Sequence, residues 1–143
     1  KQVRTLTDNQ NIQTITFVWM QGEQDAEQEY GRVYAASLTG LIAQLREDLE
    51  CEDINVVVGR INDYGLFAHK RGTPRHAQWV LVRDAQVAVV EACARGAWVD
   101  TDDLNSGMDR TGTAVENDFH LTPDGYRTLG QRLAEKALAL LEN

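Results

Sequence analysis

The chain has 143 residues, enough for one domain, and its 43% hydrophobic and 25% charged residues are ordinary for a globular protein. Fourteen Lys and Arg face 22 Asp and Glu, a net charge of −8, which argues against a nucleic-acid backbone or an anionic membrane as the main partner. No apolar run approaches the roughly 18 residues of a membrane span.

Residues 12 to 21, IQTITFVWMQ, are β-branched and aromatic and read as a strand. The polar cluster Gln21, Gly22, Glu23, Gln24 and Asp25 follows at once. Asp25 with Gln28 three residues on reads as a helix N-cap signal. Tyr34, Leu38, Leu41, Ile42, Leu45 and Leu49 then recur at helical spacing over 26 to 49. INVVVGRI, 54 to 61, is a short apolar run, as in a strand covered on both faces. Residues 62 to 74 read as a loop. A second helix is expected over about 76 to 94, with Val80, Leu81, Ala85, Ala88, Val89 and Ala92 on its buried face. GAWVDTDDL, 96 to 104, reads as a strand running into acids, and 105 to 119 as a polar loop. The last helix, 123 to 141, has Thr122 as cap, Pro123 in its first turn, and a stripe of Leu129, Leu133, Ala137, Leu140 and Leu141. Cys51 and Cys93 lie beside helical patterns and read as buried free thiols.

Strand and helix alternate three times, which implies an α/β fold with a parallel sheet. Ligands of such sheets bind beyond the carboxyl ends of the strands. Gln21 to Asp25, Asn62-Asp63 and the acids after Trp98 all fall at such ends. His120, in NDFHLTPDGYRTLG, sits just before a helix with carboxylates near it. Histidine is the side chain best suited to general base work near neutral pH.

The blocks WMQGEQDA and DFHLTPDGYRTLG together resemble the SGNH-hydrolase superfamily. Within it they are similar to the sialate O-acetylesterase-like and acetylxylan-esterase-like carbohydrate esterases. The match runs through Trp19, Gln21, Gly22, Glu23 and Asp25, then His120, Thr122, Pro123, Gly125, Tyr126, Leu129 and Gly130. VRDAQ, 82 to 86, is similar to a helix those esterases carry between the blocks. The resemblance implies a three-layer α/β/α domain of flavodoxin-like strand order. It implies hydrolysis of acetyl esters on sugars by a Ser-His-acid mechanism, needing no cofactor and no metal. Gln21 would donate to the oxyanion, Gly22 would let the backbone approach substrate closely, and His120 would be the base. The carboxylate that orients His120 is Glu23 or Asp118, because the family's usual acid position, three residues before the histidine, is Asn117 here. Arg83 and Gln86 are candidates for the substrate side.

The family's nucleophile lies in an N-terminal Gly-x-Ser block, which this chain lacks. Ser37 falls inside a predicted helix and Ser106 in a polar loop. The chain begins at Lys1, so it is expected to be the C-terminal part of the domain, carrying its last three strands. A missing N-terminal segment, or another chain, would then cover the strand at 14 to 20. The expected partner is an acetylated carbohydrate, and the resemblance points to a bacterial enzyme of secreted or periplasmic location. The alternative function is a non-catalytic carbohydrate-binding or structural remnant of the fold. DLNSGMD fails the calcium-loop pattern, with Met108 and Ala114 where Gly and Glu are needed. His69, His76 and His120 have no zinc-site spacing. His69, Lys70, Arg71 and Arg75 form a basic loop that reads as solvated.

Overall fold

The computed structural model describes residues 12–67 and 71–142, so His69 and Lys70 of the basic loop lie outside the described residues. Among these residues the main sheet has three strands: β1 (Thr16–Trp19), β2 (Asn55–Gly59) and β3 (Gly96–Val99). They lie in the order β1-β2-β3, all parallel, with Val18 opposite Val57 and Val57 opposite Ala97. The helices are α1 (Glu23–Glu27), α2 (Gly31–Leu49), α3 (Pro74–Glu91) and α4 (Pro123–Ala139). A second, two-stranded sheet joins β4 (Gly107–Met108) to β5 (Ala114–Val115) antiparallel.

Every residue of β2 is buried, because helices cover both faces of the sheet. Side chains alternate along a strand, so Val56 and Val58 enter one cluster, with Tyr34, Leu38 and Ile42 of α2 and Trp79, Val82 and Val90 of α3. Gly59 turns to the other face, toward Met20 and Leu129. There Val99, Leu104, Leu121 and Leu129 form the second cluster, with α4 packed on β2 and β3. The α/β class and parallel sheet read from the sequence stand.

The local differences have physical causes. The helix expected over 26 to 49 is two helices, broken at Glu29, whose φ is 61°. Gly22, not Asp25, occupies the N-cap of α1. Asp25 lies inside the first turn, where its carboxylate accepts from Gln21 instead. Gly31 opens α2 because a Cβ there would come within 2.9 Å of Leu81 Cβ, so the two helices meet almost backbone to backbone. On α3 the buried face is Trp79, Val82, Arg83, Ala85, Gln86 and Val90. Leu81, Ala88 and Ala92 of the expected stripe are exposed. The helix turns inward two polar residues that specific partners satisfy, which hydrophobic periodicity does not register. Thr73 and Thr122 cap α3 and α4 by accepting from His76 N and Gly125 N, each followed by Pro at the first helical position. Both cysteines are half-buried free thiols.

Candidate active site

The strand ends form one rim. At β1, the Gln21 carbonyl accepts from Tyr34 Oη at 2.5 Å and from Gln86 Nε2 at 2.9 Å, so two helices clamp this backbone. The Gln21 amide donates to Asp25 Oδ2 at 2.5 Å. Gly22 is buried with φ 155°, and a Cβ there would sit 2.7 Å from Val82 Cγ1. The glycine thus serves close packing against α3, and its α-carbon faces the protein interior. Burial holds the Tyr34 phenol above its ordinary pKa, against opposing hydrogen bonds with Trp19 and Gln86.

At β2, Gln86 Oε1 accepts from Ile61 N at 2.9 Å. Arg83 donates to the Ile61 carbonyl at 2.6 Å and grips Asp102 with two bonds of 2.7 and 2.8 Å. Both side chains are buried beneath the rim. Their work is to tie the ends of β1 and β2, and the stretch after β3, to α3. Neither lines a cavity that contains His120.

The stretch after β3 is held twice more. Arg60 bonds Asp100 and Asp102 and lies 4.8 Å over the Trp98 ring, and Arg132 forks onto Asp103 at 2.7 Å. The Arg132 hydrogen bonds hold the Asp103 carboxyl below its usual range. Burial raises Asp100, but the Asp102 N–H and Arg60 outweigh it and leave a net lowering. Asp63 is pushed up, first by burial and then by the Asp102 charge.

His120 is presented by a latch that the sequence reading missed. Asn62 Nδ2 donates to the Phe119 carbonyl at 3.1 Å, and Asn105 Nδ2 to the Asp118 carbonyl at 3.2 Å. Phe119 packs edge-on to Tyr64 and Trp79, at centroid distances of 5.2 and 5.9 Å. Trp79 Nε1 in turn donates to the Asn62 carbonyl at 2.6 Å. The anchored neighbour leaves His120 outside, 75% exposed. A buried polar pair, Asn62 and Asn105, was the available signal, since such groups stay buried only with partners.

Two carboxylates approach His120. Asp118 Oδ1 accepts from the His120 backbone N–H at 2.8 Å, a turn that fixes the loop. The same oxygen is 3.9 Å from Nδ1, beyond hydrogen-bond length. Glu23 comes from the other block, and it lines a cavity of about 250 Å³ together with Met20, Phe119, His120 and Tyr126. A second cavity, about 600 Å³, opens on the other side of His120, toward Asp109, Arg110 and Val115 of the β4–β5 hairpin. Gln21 lines neither. It borders a separate cavity of about 90 Å³ with Trp19, Asp25 and Ser37. Ser106 accepts from Asn117 N at 2.9 Å, and neither serine lines a cavity with His120. Among the described residues no three His, Cys, Asp or Glu side chains are grouped to hold a metal, and no helix is long and apolar enough to cross a membrane.

Comparison with known proteins gives this rim a context. A family model described as a carbohydrate esterase, sialic acid-specific acetylesterase, matches residues 1–139. No curated protein matches the chain. A protein from Arabidopsis thaliana, solved by X-ray diffraction at 1.6 Å, is similar with a TM-score of 0.62 and 23% identity. The alignment covers 99% of this chain and 50% of the plant protein, so the chain spans about half that protein's length. At that identity the likeness speaks for the fold. With the family match running over nearly its whole length, the chain belongs to the carbohydrate esterase family of sialic acid-specific acetylesterases.

Proposed function

We propose that this chain supplies the histidine side of a carbohydrate O-acetylesterase, an enzyme that hydrolyses acetyl esters on sugars through a serine nucleophile. The observation that carries the reading is the cavity shared by Glu23, from the end of β1, and His120, from the loop before α4. An acid and a histidine facing one cleft are the parts a serine nucleophile needs beside it. The serine itself would come from outside these 143 residues, since Ser37 and Ser106 line no cavity with His120.

In this reading His120 takes the proton as the serine oxygen attacks the acetyl carbonyl. The charge gathers on the carbonyl oxygen, where a donor is worth several kcal/mol, roughly 2.7–4 in measured cases. The resemblance gives that role to Gln21, whose side chain borders a separate cavity here and would have to turn toward His120 to take it up. Its amide carries two N–H groups, and the Asp25 carboxylate holds one. The imidazolium then returns its proton to the sugar oxygen as the ester bond breaks. A water molecule, activated by the same base, frees acetate from the serine. We assign Glu23 to stabilise the imidazolium and Asp118 to hold the His120 backbone through its turn. A segment lying beside β1, whose Val18 is 48% exposed at the edge of the sheet, would bring further groups to the rim.

The test is hydrolysis of 4-nitrophenyl acetate by the full-length protein and by His120→Ala. The variant should lose at least about 10²-fold in kcat. Undiminished hydrolysis would remove His120 from the mechanism. The second reading, a non-catalytic carbohydrate-binding remnant, is favoured by both serines lying outside the linings of the His120 cavities. A serine-directed phosphonate separates the two. It labels the full-length esterase and leaves a binding remnant unmodified.

A further inference from the structure

Among the described residues β3 is the outer strand of the main sheet, on the side away from β1. The Arg95 carbonyl accepts from Val56 N at 2.8 Å, and the Val99 carbonyl from Arg60 N at 3.0 Å. Backbone groups of successive strand residues point to opposite edges, so Arg95, Ala97 and Val99 face β2. Gly96 and Trp98 therefore turn their N–H and C=O groups outward, and among the described residues no hydrogen bond reaches them. Natural sheets guard such an edge with lysine, proline, a bulge or a covering loop. The strand Gly96–Val99 is GAWV, with no charge and no proline. An open cavity of about 640 Å³ runs along it, walled by Glu91 at the end of α3 and by Arg132, Glu135 and Lys136 of α4.

A groove floored by unpaired main chain takes an extended strand. Charge narrows down whose strand that is. A chain of net charge −8 repels a second copy over most of its surface. Along this groove both signs are present: Glu91, Asp100 and Glu135 stand with Arg132 and Lys136, and Arg60 lies 4.8 Å over the Trp98 ring. A twofold axis beside the exposed neighbours Glu135 and Lys136 sets each against the opposite charge of the other copy. The strand also suits its own reverse. With Ala97 on the axis, Gly96 of one copy exchanges both backbone bonds with Trp98 of the other, so the outward groups are satisfied. The two Ala97 residues then face each other as the closer, non-hydrogen-bonded pair, where a methyl group is small enough to fit. Such a contact uses the same patch on both copies and closes on itself, giving a dimer and not a filament.

We propose that the β3 edge is where two copies of the protein join, β3 against β3 antiparallel about a twofold axis at Ala97, so that one sheet runs through both. This inference is independent of the esterase reading. The test is sedimentation equilibrium of the full-length protein, wild type beside Ala97→Lys and Ala97→Glu. The wild type should sediment at twice the mass of one chain. Each variant should sediment at the single mass, because like charges then face each other across the axis. An equimolar mixture of the two variants should regain the doubled mass, which also shows that both have folded. A wild type of single mass throughout the micromolar range, a dimer that survives both substitutions, or a mixture that stays at the single mass would overturn the proposal. Hydrogen exchange reads the same edge with no substitution. The Gly96 and Trp98 amides should be protected in the dimer and lose that protection on dilution. Protection equal at every concentration would give the edge to another segment of the protein and overturn the proposal.

Discussion

Gln86→Met probes the clamp under the rim. Gln86 is fully buried, accepts from Ile61 N, and donates to the Gln21 carbonyl and to Tyr34 Oη. Methionine is close in volume and flexible, so no large cavity opens. It has no donor and only a weak acceptor. The Gln21 carbonyl keeps its bond from Tyr34, so it is not orphaned. Ile61, also fully buried, loses the acceptor of its N–H. An orphaned buried N–H costs about 1–3 kcal/mol, and each lost bond whose other partner stays satisfied costs about 0.5–1.5 kcal/mol. The sum is about 4 kcal/mol. At about 4 °C per kcal/mol for a domain of this size, the melting temperature should fall by about 16 °C. Circular dichroism melts and urea titration would measure it, with the urea m-value unchanged. A fall of less than about 3 °C would refute the argument that this amide carries the junction of β1, β2 and α3.

Two further substitutions sort the carboxylates around His120. Glu23→Gln should lower kcat of the full-length protein toward nitrophenyl acetate by about 10²-fold, because an amide cannot balance an imidazolium. Asp118→Asn should stay near wild type, since Asn accepts a backbone N–H about as well as Asp; the reverse ranking would transfer the role to Asp118. Asp63 gives a pH test. Its pKa is raised in the folded state, first by burial and then by the Asp102 charge. The sign follows: the folded state binds the proton more tightly than the unfolded chain. That contribution is fully present below the unfolded pKa and is lost as pH rises through the folded one. Asp63→Asn should therefore melt higher than wild type at pH 7, with the gain vanishing in acid. A gain that persists at pH 3 would point to a cause other than charge.

The parts of this fold that the sequence announces are those where one face is uniformly apolar. Tyr34, Leu38 and Ile42 mark α2 correctly, and the run Val56 to Val58 marks a strand buried on both sides. Thr122 and Pro123 locate the start of α4 to the residue. What escapes is wherever polar groups are buried in exchange for specific partners. Arg83 and Gln86 turn inward on α3 because Asp102, Ile61 and Gln21 await them, and those partners are distant in sequence. The hairpin of β4 and β5 escapes too, since a two-residue ladder, pinned mainly by Asp109, leaves no alternation to detect. The site was legible as two blocks that must meet. Glu23 and His120 do share a cavity, while Gln21 faces a different one. Side-chain direction of that kind depends on partners such as Asp25, which spacing alone does not weigh.

The ring of Phe119 has a thermal consequence. Loops beside reaction centres often open at a small fraction of the global unfolding free energy. Here the residue next to His120 is wedged against Tyr64 and Trp79, and Trp79 is fully buried in the main core. Releasing the histidine means pulling a half-buried aromatic side chain away from that core, which ties the loop to the cooperative unit of the domain. On heating, the 118–121 amides should stay protected from hydrogen exchange until the fold itself gives way. Warm conditions short of melting would then leave the histidine where it is needed.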